Sequence, residues 1–223
     1  MSNLSTDVWR LQGLSPMFTS ELIGRDEVTK PVSLEFANTV HWHASQHPQD
    51  TLRSYPDLVS WAHEAGLTTD RQARQLVGLA QAQPGAARRA LERALRLREA
   101  IYRIFIAVIH DKPVGATDLD ALNAVVKKLG GDAQIKRTRS GFVWAWRTDG
   151  GDLESFLDPI ALSAANLLLS EKHQWVGQCA DDRGCGWLFL DTSKNHSRRW
   201  CDMNDCGNRA KQRRLQQRRS TRG

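Results

Sequence analysis

All four cysteines of this 223-residue chain fall between positions 179 and 206. The pattern is Cys179, five residues, Cys185, fifteen residues, Cys201, four residues, Cys206. A disulfide framework scatters cysteines over a secreted domain, whereas crowded cysteines without an export signal are metal ligands. Two close pairs separated by a hairpin-length spacer are what a tetrahedral thiolate site needs, since each pair occupies a tight turn and the spacer lets the turns face each other. The expected occupant is one structural zinc ion, held by Cys179, Cys185, Cys201 and Cys206. An iron–sulfur cluster and plain buried thiols are the alternatives left open by these rather long intervals.

The spacer is expected to form a hairpin. Residues 187–190 alternate as a strand, residues 191–195 have turn chemistry, and residues 198–201 would return antiparallel. From about Asn204 onward the chain reads as a helix whose first turn carries the last ligand. Hairpin plus helix is the layout of treble-clef and ribbon-like zinc fingers. A module this small has too little core to fold alone, so metal binding supplies much of its folding free energy.

Charge is distributed as unevenly as cysteine. Residues 1–171 hold 19 Lys/Arg against 20 Asp/Glu, a net −1, whereas residues 172–223 hold 12 against 5, a net +7. A zinc ion with four thiolates carries a formal −2, which leaves the module at about +5. A localised positive field of this size points to a polyanion partner. Arg198, Arg199, Arg209, Lys211, Arg213, Arg214 and Arg218 are the expected phosphate contacts. Four to six such contacts predict a slope of log K on log salt of roughly −3.5 to −5.5. Asn208 and Arg209, near the start of the final helix, are the candidate base readers if that helix enters a major groove. Trp187 and Trp200 offer base-stacking surfaces, but at hairpin positions they are expected to form the module's small core.

Ahead of the cysteines the pattern is helical. Residues 33–40 form a short segment that periodicity does not type as helix or strand. Pro56-Asp57 opens a helix through Ala65, closed by Gly66, and Thr69-Asp70 starts another that ends near Ala82. After Pro84-Gly85, the series Ala87, Leu91, Ala94, Arg98, Ile101, Phe105 and Val108 marks one face of a long amphipathic helix. A helix capped by Thr117 or Asp118, a β-hairpin over residues 133–147 and a Leu/Ala-rich helix over residues 155–171 follow. The fold class is therefore mostly α with a small β-hairpin element (α+β), followed by the zinc finger. The expected divisions are an N-terminal arm, 1–30, a mostly helical domain, 31–172, and the finger, 173–223.

The residues Cys-Gly-Trp-Leu-Phe-Leu-Asp-Thr-Ser-Lys-Asn (185–195), Arg-Arg-Trp-Cys (198–201) and Cys-Gly-Asn-Arg-Ala-Lys (206–211) closely resemble the CGNR zinc-finger family. The front half resembles the ABATE domain at Leu-Glu-Phe-Ala-Asn-Thr (34–39) and Leu-Arg-Leu-Arg-Glu-Ala-Ile-Tyr (95–102). The resemblance implies a bacterial, stress-induced transcription regulator that binds nucleic acid, DNA in preference to RNA, with the front domain as a sensor. RNA binding, or a protein-interaction finger, is the alternative.

Arg98 interrupts an apolar stripe and so must find a partner or lie at the core's edge. A structural ion pair to Glu35 or Glu99 is one reading. An effector pocket in which Arg98, Asn38 and Thr39 bind a small anionic molecule is the other, since these residues lie in the segments that carry the ABATE resemblance. His41, His43 and His47 are read as surface histidines. No phosphate loop, nucleophile elbow or metalloprotease pair is present, so no enzymatic activity is expected. The first thirty residues contain no sustained apolar run, which leaves no membrane partner and a cytoplasmic location as the expectation. A palindromic operator would call for a homodimer.

Overall fold

The computed structural model describes residues 30–128, 133–138, 141–146 and 152–220. The expected N-terminal arm lies outside them, apart from Lys30. The segment left untyped by its sequence is a short helix, α1 (Val32–Ala37), with Leu34, Phe36 and Ala37 buried. Two short strands, β1 (Val40–His41) and β2 (Gln49–Asp50), pair antiparallel and close the loop 42–48.

Helix α2 (Tyr55–Glu64) begins at Ser54, whose hydroxyl accepts from the Asp57 amide while Asp57 reaches back to the Ser54 amide. Thr69 and Gln72 build the same reciprocal cap for α3 (Asp70–Ala82). Each cap satisfies amides that a helix start otherwise leaves bare, and the starts expected at Pro56-Asp57 and Thr69-Asp70 fall at these caps. The long helix α4 (Pro84–Ile109) is the spine of the front body. Its stripe of Ala87, Ala90, Ala94, Leu97, Ile101, Ile104 and Phe105 is buried against α1, α2, α3 and two later helices, α5 (Ala116–Val126) and α6 (Leu157–Leu169). Helix α5 has Gly115 as its cap, earlier than the expected Thr117 or Asp118, and Asp118 lies in its first turn, paired with Arg103. Between α5 and α6, β3 (Ala133–Thr138) and β4 (Gly141–Trp146) form the expected antiparallel hairpin, with Ile135 opposite Trp144.

Helix α6 is apolar on several sides and buries Leu157, Ile160, Ala161, Ala164 and Leu167. At a buried polar joint on this helix, Ser163 Oγ accepts from the Ser33 amide and donates to the Ser33 hydroxyl on α1. A 3-10 turn (Glu171–Trp175) leads into β5 (Val176–Gln178), which pairs antiparallel with β6 (Leu188–Leu190). The described residues end with a π-helical turn (Met203–Gly207) followed by α7 (Asn208–Ser220). The protein is thus mostly helical with small antiparallel strand pairs, and no helix among the described residues is long and apolar enough to cross a membrane.

One expected pairing is different. β6 takes β5 as its partner, and residues 198–201 form no strand. The cause lies at buried Asp191, whose carboxylate accepts from the amides of Ser193 and Arg198 and curls residues 191–198 into a compact loop. The return segment then passes under the first knuckle, where the Ala180 amide donates to the Arg199 carbonyl.

Candidate metal centre and basic face

Cys179 follows β5, Cys185 precedes β6, Cys201 ends the return segment and Cys206 lies on the π-helical turn. Cys201 Sγ is 3.7 Å from both Cys185 Sγ and Cys206 Sγ, and all four sulfurs lie within 4.8 Å of one another. Zinc–sulfur bonds of about 2.3 Å in a regular tetrahedron place sulfurs roughly 3.8 Å apart, so the set matches that ion. Four thiols this close cannot all ionise unaided. Hydrogen bonds from Cys185 and Cys201 hold the Cys179 thiol far below its ordinary value, while the same contacts push Cys185 and Cys201 up and burial pushes Cys206 up. A divalent cation removes the conflict by supplying the positive charge that lets every sulfur bind as thiolate.

The surroundings are equally specific. Asp181, whose side chain has no exposed area, accepts from Arg209 Nε at 3.2 Å and from an Arg213 terminal nitrogen at 3.0 Å. Burial opposes its charge, but hydrogen bonds from the Arg183 amide and from Arg209 outweigh that and hold the Asp181 carboxyl below the ordinary value. Arg209 also donates to Cys206 Sγ and to Asp205, so the first knuckle, the last ligand and α7 form one ionic cluster. Hydrogen bonds to ligand sulfur tune and orient a metal site. Trp42, Trp187 and Trp200 cover the cysteines, and Arg183 and Arg209 lie 5.0 and 5.4 Å over the Trp42 ring.

Hydrogen bonds on the other side of the site form a joint between front body and finger. Asn38 spans it with both amide atoms: Nδ2 donates to the Leu188 carbonyl at 2.9 Å and Oδ1 accepts from the Leu188 amide at 2.8 Å. Trp187 donates to the Val40 carbonyl, and the amides of His43 and Ala44 donate to the carbonyls of Cys185 and Gly184. On α4, the Tyr102 hydroxyl donates to the Gly186 carbonyl.

The ABATE family model, described as "Putative stress-induced transcription regulator", matches residues 30–171. The chain belongs to the ABATE family. The CGNR zinc-finger model matches residues 176–219, which hold all four cysteines, so this ABATE protein ends in a zinc finger that binds one zinc ion. Among curated proteins, none matches the chain significantly.

The structure sorts the basic residues into two groups. Arg209 and Arg213 turn inward to Asp181, and Arg198 donates to the carbonyls of Trp200 and Cys201 while lying 4.7 Å over Phe189. Arg199, Lys211, Arg214 and Arg218 are exposed, as is Asn208, whose amide donates to the Asn204 carbonyl. Asp181 was missed in the sequence; an aspartate two residues past a ligand, with two arginines four apart on the following helix, was the available signal.

In the front body, Arg98 is buried and its terminal nitrogens pair with both carboxylate oxygens of Asp50, at 2.8 and 2.6 Å, with further bonds to Thr39 Oγ1 and Glu99. Asn38 and Thr39 line a groove at the joint, whereas Arg98 does not. His43 departs from the surface reading, since its ring stacks on Tyr102 at 3.6 Å and pairs with Glu99 at 3.1 Å. His41 and His47 are exposed.

Proposed function

We propose that this ABATE protein is a regulator that binds duplex DNA through the outer side of α7, under control of a small molecule sensed by the front body. One observation carries the DNA half of that reading. Arg209 and Arg213 turn inward to Asp181, and Lys211 and Arg214, three residues apart on α7, are exposed, as are Arg218 farther along the helix and Arg199 in the finger. A set of exposed cations backed by an ionic brace is suited to a phosphate backbone, which rewards positive charge held in place.

With Arg198, Arg209 and Arg213 occupied inside the finger, the expected number of phosphate contacts falls to three or four. The predicted slope of log K on log salt is then roughly −2.7 to −3.6. Anisotropy titrations of a labelled duplex at several salt concentrations measure it. Lys211→Ala with Arg214→Ala should flatten the slope by about 1.8, and a duplex affinity independent of salt would refute the proposal. Single strands and RNA of the same sequence belong in the same titration. Trp187 and Trp200 pack against the cysteines and are partly buried, which favours the duplex over a single strand read by stacking. The reading is of a binding protein and not an enzyme, since four thiolates fill the coordination shell of zinc and leave no place for water.

A further inference from the structure

The four zinc ligands are not equally protected. Cys179, Cys185 and Cys206 are 6%, 7% and 1% exposed, whereas Cys201 is only partly buried and lines the groove of about 520 Å³ at the joint between front body and finger. Hydrogen bonding divides them in the same way. The backbone of Asp181 and of Cys201 bonds to the Cys179 sulfur, the backbone of Trp187 bonds to the Cys185 sulfur, and Arg209 donates to Cys206 Sγ. Among the described residues the Cys201 sulfur meets other cysteine sulfurs and no N–H donor, with those of Cys185 and Cys206 each at 3.7 Å. A donor draws electron density from a thiolate, so the ligand without one keeps the most. A thiolate that is accessible, electron-rich and beside a second sulfur has the surroundings of an oxidant-reactive cysteine.

We propose that Cys201 is an oxidation site and that a peroxide reacting there opens the metal centre. The Cys201 thiolate attacks one peroxide oxygen, the O–O bond breaks, and the sulfur becomes a sulfenic acid while the departing hydroxide takes a proton from solvent and leaves as water. The thiolate of Cys185 or Cys206 then attacks the sulfenic sulfur, and the hydroxide expelled is protonated in the same way. Two thiolates thus give two electrons to one peroxide, two protons are taken up, and one disulfide and two waters result. The two thiolates that remain are too few to keep a tetrahedral ion. Cys206 lies on the turn that leads into α7, so losing the centre unties the point from which the basic helix starts. The inference goes beyond nucleic-acid binding and does not depend on it.

The test uses the zinc-loaded full chain, without nucleic acid, and hydrogen peroxide. A zinc-binding dye follows release of the metal, and peptide mass mapping follows the cysteines. Release of one zinc per chain is expected, together with a disulfide that contains Cys201, and dithiothreitol should restore zinc binding. With substoichiometric peroxide and dimedone present, the sulfenic acid is trapped and the label should fall on Cys201. Cys201→His keeps a fourth ligand but offers no sulfur, and zinc release should slow at least about tenfold. If that variant does not load zinc, the two maps of the unaltered chain decide. Zinc retained at peroxide levels that oxidise glutathione, a first disulfide that excludes Cys201, dimedone label spread evenly over the four cysteines, or undiminished release from a zinc-loaded Cys201→His overturns the proposal.

Discussion

At Asp181 one carboxylate joins the first cysteine knuckle to the terminal helix by way of two arginines. Asp181→Asn keeps the shape and an acceptor but removes the charge, leaving Arg209 and Arg213 facing a neutral amide. A loss of about 2 kcal/mol is expected, read as faster transfer of zinc to a chelator. Arg98 is the corresponding residue in the front body. Burial opposes the charge of Asp50, yet hydrogen bonds from Arg98 and the Leu52 amide hold its carboxyl below the ordinary value; Glu99, opposed by burial in the same way, is held down by His43 and Arg98. A carboxylate whose value is lower in the folded than in the unfolded chain contributes stability at neutral pH and loses it as pH falls through the folded value. Arg98→Met should therefore cost about 3 kcal/mol at pH 7, and thermal melts should show the two proteins converging below roughly pH 4. The anomaly at Arg98 was legible as a charge inside an apolar stripe, and Glu99 was legible as a neighbour. Asp50 was not, because 48 positions and a strand turn separate it from Arg98.

Among the elements, those set by local chemistry were readable in advance and those set by distant partners were not. Pro56-Asp57 and Thr69-Asp70 announce α2 and α3 in the sequence, and the structure adds the reciprocal caps, Ser54 with Asp57 and Thr69 with Gln72, at those starts. The long stripe of α4 does the same by periodicity. By contrast, β6 could have paired forward or backward, and the loop around Asp191 decided for β5. The cysteines were legible as one metal site, whereas the loop that grips their first knuckle was not. That loop packs against two glycines with positive φ: a Cβ on Gly184 would sit 2.7 Å from the Ser45 backbone, and one on Gly186 would sit 2.6 Å from the Ala44 nitrogen. These contacts are with backbone, which cannot swing aside. Gly186→Ala should therefore loosen the finger from the front body, with faster amide hydrogen exchange at Leu188 and the 43–45 loop while helix α4 keeps its protection.

For the molecule as a whole, the joint makes the metal a tenant of both halves. Asn38, Val40, His43, Ala44 and Tyr102 all bond to finger residues between Gly184 and Leu188. Removing zinc with a strong chelator should lower the melting temperature of the front body as well as unfold the finger, and calorimetry of the zinc-loaded chain should show a single transition. Two separate transitions, with the front body's unmoved by chelator, would mean that the joint is weaker than its hydrogen bonds imply. The same joint bears on transplantation. A graft of the finger onto a foreign host would expose the carbonyls of Gly184, Cys185 and Gly186 and both main-chain groups of Leu188, which here are answered by the 38–44 segment and Tyr102. The unit that travels intact is the finger together with that cradle, so an engineer who wants the cysteines must carry the receiving loop along with them.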